Sequence, residues 1–286
     1  MRLALRSRSE GFTMVELVVV IVLIGILAVV GANLIGNFVG GYVDASERQE
    51  LASAGRIAVE RATRELRRAV PNSVLCPAAG CSQVSRIAVL RAATGGRYVA
   101  TGPADSRLQI NRDGDRFEAY GLVGLAASHD LVVYPQNASP LYGTATDDDN
   151  PRSRMGTVTD LSSGNEVRHR IDLDAADSFP RHSPSRRIYG VDKVVALCCD
   201  TANNRVRLGI GELEEPLGTT PGHFCNEANS GVSVHLLADR VSQCDITYVP
   251  ATLTRSAIVR LFLQFRSPEA GETVDFLQEV QIRNVP

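Results

Sequence analysis

The first residues with chemistry to offer lie in "GFTMVEL", Gly11 to Leu17. Gly11 stands between a short charged leader and a long apolar run. A cut after it would remove the charge and keep the hydrophobic segment, the reverse of an ordinary secretory signal, whose small-residue cleavage site follows the apolar region. Glu16 raises a second question. A lone carboxylate in the middle of a bilayer helix costs about 2.5–3.5 kcal/mol, so Glu16 demands a compensating charge. The bland alternative is an uncleaved anchor that carries an accidental glutamate.

Six cysteines form the second candidate set: Cys76, Cys81, Cys198, Cys199, Cys225 and Cys244. An even count, all after the apolar segment, suits an oxidising compartment and a disulfide framework. "CPAAGC" predicts a local bond between Cys76 and Cys81. Cys198 and Cys199 are adjacent, so each is expected to pair with Cys225 or Cys244, which leaves two schemes open. The rival is a metal site using His223 and Cys225 of "HFC" with Cys198 or Cys199, but the paired CxxC knuckles of a zinc site are missing, and no metal or cofactor is expected.

Other strings carry less. "TDDDN" (Thr146–Asn150) clusters oxygens but lacks the spaced pattern and turn glycine of a calcium loop. "RHSPSRR" (Arg181–Arg187), with Arg152 and Arg154 upstream, has no interleaved aromatic to stack bases, and a net charge of −2 does not suit a nucleic-acid binder. Neither GxSxG, HExxH nor a Walker string occurs. No catalytic residue is assigned, and an enzyme is not expected.

These residues need elements to position them. The leader, MRLALRSRSE, holds Arg2, Arg6 and Arg8 against Glu10. The apolar run from Phe12 to Ile35 is long enough to span a bilayer, which takes about 20 residues. Basic flanks stay cytoplasmic, so the rest of the chain is expected outside. Helical periodicity continues beyond the span: Leu51, Gly55, Ala58, Ala62, Leu66 and Ala69 form one stripe. Glu50, Arg56, Arg61, Arg64 and Arg68 lie on the other faces, and Pro71 with Asn72 ends the helix. Gly36, Gly40 and Gly41 mark a place for a kink. A stripe of Ala and Gly is poor coiled-coil material and predicts close packing against the chain's own sheet.

After Ser73 the pattern turns to short strands. "SRLQINRDGDRFEAYG" predicts a hairpin about Asp113-Gly114. "DLVVY", "EVRHRIDL", "RIYGVDKVVALCC" with "NRVRLGIG", and "AIVRLFLQF" with "ETVDFLQEVQI" predict further strands. "VHLLADRVS" predicts a short helix. Residues 135–184 are rich in Pro, Ser, Asp and Asn and predict extended loops around a single strand. The fold class is α+β: a long N-terminal helix on a mostly antiparallel β head.

The N-terminal motif resembles the class III signal of type IV pilins and type II secretion pseudopilins. The resemblance implies the pilin fold, with residues 1–11 as a cleaved leader, 12–36 as the transmembrane half of the first helix, 37–70 as its amphipathic half, and 71–286 as a periplasmic head. It implies that a prepilin peptidase cuts between Gly11 and Phe12 and N-methylates Phe12, and that Glu16 pairs with the N-terminal amine of a neighbouring subunit. Met14 departs mildly from the commoner Leu. "LLADRVSQCDITY" and "FLQEVQIRNVP" resemble the O-type biogenesis family of MSHA (mannose-sensitive haemagglutinin) pili, minor pilins related to the J-type minor pseudopilins. That implies other pilins and an inner-membrane assembly platform as partners. The alternatives are a J-type pseudopilin, or a membrane-anchored periplasmic binding or adhesin module.

Overall fold

The computed structural model describes residues 11–78, 80–143, 149–213, 217–252, 255–268 and 271–282. The chain divides into two compact units, Met1–Glu50 and Leu51–Pro286. One helix, α1 (Met14–Arg67), begins in the first and ends in the second. Helical hydrogen bonding runs unbroken through Gly36, Gly40 and Gly41, so the expected loosening does not interrupt it.

In the second unit the small-residue stripe does what its spacing predicts. Leu51, Ala58, Ala62 and Leu66 are buried in one cluster with Val89, Leu208, Ile246, Leu261 and Val280. The other side of the helix exposes Arg56, Ile57, Glu60, Arg61 and Arg64, with Glu60 and Arg64 paired at 3.1 Å. Gly55 is the point of closest approach. A Cβ there would overlap the ring of Phe276, so only glycine lets helix and strand meet at this distance. The helix tightens at its end, where the Arg68 and Ala69 amides donate to the Glu65 and Leu66 carbonyls. The chain then joins a sheet directly: the Ala92 amide donates to the Arg68 carbonyl at 2.8 Å and the Val70 amide to the Leu90 carbonyl at 2.9 Å. Arg91 fastens this junction, 2.6 Å from Asp192 and 3.7 Å from Glu65. Although burial works against ionisation, the Arg91 guanidinium holds the Asp192 carboxyl below its ordinary range.

Among the described residues eleven strands follow. The first eight form one sheet: β1 (Arg86–Tyr98), β2 (Arg116–Tyr120), β3 (Asp130–Val132), β4 (Arg152–Asp160), β5 (Arg168–Leu173), β6 (Arg187–Asp200), β7 (Arg205–Gly211) and β8 (Val232–Ala238). Every pairing is antiparallel. The order β1-β2-β5-β4-β3-β6 closes on itself, because β6 also pairs along β1. The apolar side chains of this ring gather in a cluster that includes Phe117, Leu131, Met155, Ile171, Phe179 and Ile188. Beyond Val191 the outer neighbour of β6 changes from β3 to β7, and β8 follows. One strand thus serves both the ring and an open sheet. Alternation along it divides the layers: Val194, Ala196 and Cys198 pack with Phe224, whereas Val195 and Leu197 join the cluster on α1.

The second sheet, β9 (Val241–Val249), β10 (Ala257–Arg266) and β11 (Thr273–Ile282), has β10 in the centre. Its inner face, with Ile246, Leu261, Leu263, Phe265, Val280 and Ile282, completes the cluster around α1.

Three sequence expectations fail for identifiable reasons. "VHLLADRVS" is not helical: it forms most of β8 and the start of β9, with a reversal at Arg240 in the left-handed region (φ 56°). Pairing to the otherwise open edge of β7 outweighs local helix propensity. The Asp113-Gly114 turn exists (Gly114 φ 60°), but only its second arm becomes a strand. The Asp115 carboxylate takes the Gln109 amide at 2.7 Å, and the Leu108 amide bonds Val99. Residues 135–184 contain two long strands rather than one. β4 was hidden because its only buried large apolar side chain is Met155.

Candidate functional site

Gly11, Phe12 and Thr13 precede α1 in non-helical backbone. Nothing lies within 4 Å of the place a Cβ on Gly11 would occupy, and Phe12 is 77% exposed. Gly11 and Phe12 are thus exposed, non-helical residues directly before α1. Thr13 then starts the helix. Its Oγ1 accepts the Glu16 amide at 3.3 Å, and its carbonyl accepts the Leu17 amide at 3.2 Å. Thr-x-x-Glu is the sequence of a capping box, so the residue directly after Gly11 and Phe12 fixes where the helix begins.

Glu16 lies exposed in the first turn. A negative charge there is favoured by the helix dipole. A new amine at Phe12 would sit at the same helix end, where the dipole is already positive, so it too calls for a carboxylate. Phe12 and Glu16 therefore lie at the same end of α1, one just before it and one in its first turn. The apolar body behind them, Met14–Ala32, is long and apolar enough to cross a membrane, and none of it is buried. Among the described residues it is the one such helix. This arrangement fits membrane anchoring.

The cysteines are all bonded. Cys76–Cys81 closes the turn after α1, with Cα atoms 5.3 Å apart. Of the two open schemes the structure holds Cys198–Cys225 and Cys199–Cys244, each with Cα atoms 5.8 Å apart. Neighbours on a strand face opposite sides. Cys198 accordingly reaches the layer with Phe224, and Cys199 reaches β9 on the α1 side. "HFC" keeps no thiolate for a metal, since Cys225 is spent on Cys198.

The basic string does not form one surface with Arg152 and Arg154. Arg152 is fully buried: its guanidinium bonds Asp130 at 2.5 Å and the Leu141 and Gly143 carbonyls at 2.9 and 2.8 Å. Arg154 bonds Asp177, and His182 stacks on Tyr98 with ring centres 5.9 Å apart. Burial raises the Tyr98 phenol above its ordinary range. No local pattern marks the buried pair of Asp130 and Arg152, because the two are 22 positions apart. Thr146–Asp148 of "TDDDN" lie outside the described residues. Asn150 is buried and accepts the Arg152 amide at 2.9 Å. Among the described residues no three His, Cys, Asp or Glu side chains converge as metal ligands.

No curated protein and no solved structure matches the chain. One family model does, described as the prokaryotic N-terminal methylation motif, over residues 6–32. The match spans Gly11, Phe12, the Thr13 cap, Glu16 and the apolar helix up to Ala32, and this motif indicates a type IV pilin-like or pseudopilin precursor processed by prepilin peptidase.

Proposed function

We propose that this chain is a minor pilin or pseudopilin that helps start or cap a filament of the MSHA type. The prepilin peptidase cuts between Gly11 and Phe12 and methylates Phe12. The apolar helix holds the processed subunit in the inner membrane with the head in the periplasm, where an oxidising environment supports three disulfides. Assembly then proceeds when Glu16 meets the Phe12 amine of a neighbour. A buried carboxylate is tolerable once an opposite charge is beside it, so pairing lowers the cost each subunit carries alone in lipid. Other pilins contact α1, and an assembly platform moves the subunits out of the bilayer. The role is structural, and no reaction is assigned to the head.

The observation that carries this reading is the exposed, non-helical Gly11–Phe12 pair directly before a Thr13 cap, with Glu16 in the first turn of an exposed apolar helix. The test is the mass of the N-terminal peptide from protein purified out of membranes. The expected terminus is N-methyl-Phe12. An intact Met1, or a cut at any other bond, overturns the reading. Glu16→Ala should leave cleavage and the head intact yet reduce incorporation into filaments. Unchanged incorporation refutes the pairing step.

A further inference from the structure

The outer face of the β9–β11 sheet is apolar at its centre and acidic beside it. Register places Asp245, Phe262 and Leu277 in one row across the three strands. Leu277 is 70% exposed and Phe262 is partly exposed. In the flanking rows Asp275 accepts from Gln264, and Glu279 pairs with Arg260. Arg266 lies at the strand end. Asp245 and Asp275 thus border an exposed hydrophobic pair.

The exposed side of α1 has the complementary character. Ile57, 64% exposed, is its one large apolar side chain within the second unit. Arg56, Arg61, Arg64, Arg67 and Arg68 surround it, with Glu60 the one acid on that face. Residues 53–68 make a stripe of about 22 Å. The sheet face is about 30 Å along its strands and about 10 Å across them, which suits one helix lying along it.

These two surfaces cannot meet within one chain. The inner side of α1 and the inner face of this sheet already pack together, with Gly55 on Phe276, so the outer faces point away from each other. We infer that the occupant is a second copy of this chain: Ile57 of one molecule rests on Phe262 and Leu277 of the next, and Arg61 and Arg64 answer Asp245 and Asp275. Each copy uses a different patch on its two sides, so the contact is head-to-tail and leaves both ends open.

The test places a photo-crosslinking benzoylphenylalanine at Leu277 of the full chain in detergent micelles, mixed with isotope-labelled partner. The expected product links position 277 of one copy to the peptide around Ile57 of the other. Arg61→Glu with Arg64→Glu should cut the yield by about tenfold, as should Asp245→Arg with Asp275→Arg, since like charges across an interface repel. Mixing the two variants, with the probe on the Asp-substituted copy, should restore it. All these sites are exposed, and unchanged circular dichroism verifies folding. No intermolecular link, a link to another region, or no recovery on mixing overturns the inference. Association through the apolar N-terminal helices is indifferent to the charge swap. The inference also stands apart from the processing reading, because the state of Phe12 does not enter the measurement.

Discussion

Gly55→Ala separates packing from helix propensity, because the two effects have opposite signs at this position. In a helix interior, Ala is favoured over Gly by about 1 kcal/mol. Here the new methyl would lie 2.6 and 2.7 Å from the Cζ and Cδ2 atoms of Phe276. The Cε2 atom lies closer still, and carbon atoms pack best at about 3.5–4.0 Å, so the ring must withdraw by about 1.5 Å. Forcing extra volume into packed contacts costs about 1–3 kcal/mol. Phe276 also stands edge-on to the buried Phe265, ring centres 5.7 Å apart, and losing that geometry costs about 0.5–1.5 kcal/mol more. The sum is a net destabilisation of about 0.5–3.5 kcal/mol after the propensity gain is subtracted. Urea unfolding of the full chain in detergent, followed by near-ultraviolet dichroism of its tyrosines, measures it. The decisive step repeats Gly55→Ala in a Phe276→Ala background. With the ring gone the substitution should change sign and stabilise by up to about 1 kcal/mol. A stabilising Gly55→Ala in the unaltered chain, or equal effects in both backgrounds, refutes the close approach of α1 to β11.

Arg152→Met should destabilise the head by about 3–5 kcal/mol, because the buried Asp130 loses its ion pair. Pairing it with Asp130→Leu should recover most of that loss, and urea midpoints of the three variants check both statements. The disulfides should rank by the length of chain they close: separations of 5, 27 and 45 residues correspond to about 2, 3.6 and 4 kcal/mol by loop entropy. Replacing Cys199 and Cys244 with serine should therefore cost more than replacing Cys76 and Cys81, read as the difference in unfolding free energy.

The N-terminal motif was legible because its information is local, and the family match over residues 6–32 covers the same stretch. Gly11, Phe12, the Thr13 cap and the Glu16 carboxylate all fall within Gly11–Glu16, and an apolar run of this length has few structural meanings. The stripe from Leu51 to Ala69 was legible for a related reason, since one repeating period fixes which side is buried. Strand identity was harder wherever both faces are covered. Ile87–Leu90 of β1 is buried at every position, so no alternation marks it as a strand. β8 failed in the opposite way: its partly exposed residues do not alternate cleanly, and only the edge of β7 decides their conformation. The closure of the ring was invisible, because it depends on Arg86–Arg97 of β1 pairing with Arg187–Cys198 of β6, about a hundred positions away. Cysteine pairing was reducible to two schemes but no further. The choice between them depends on which face of β6 each sulfur occupies, and the strand register sets that.

The two bonds leaving adjacent residues of β6 have a mechanical consequence. Suppose the molecule is put under tension between its N-terminal helix and its last strand. The 45-residue stretch closed by Cys199 and Cys244 is bypassed covalently and can release no slack. At about 3.5 Å per extended residue, that removes about 160 Å from the contour length available to a pulled chain. The load crosses instead from β6 to β9 through sulfur, so the sheet on which α1 rests cannot be drawn out between those two points without breaking a covalent bond.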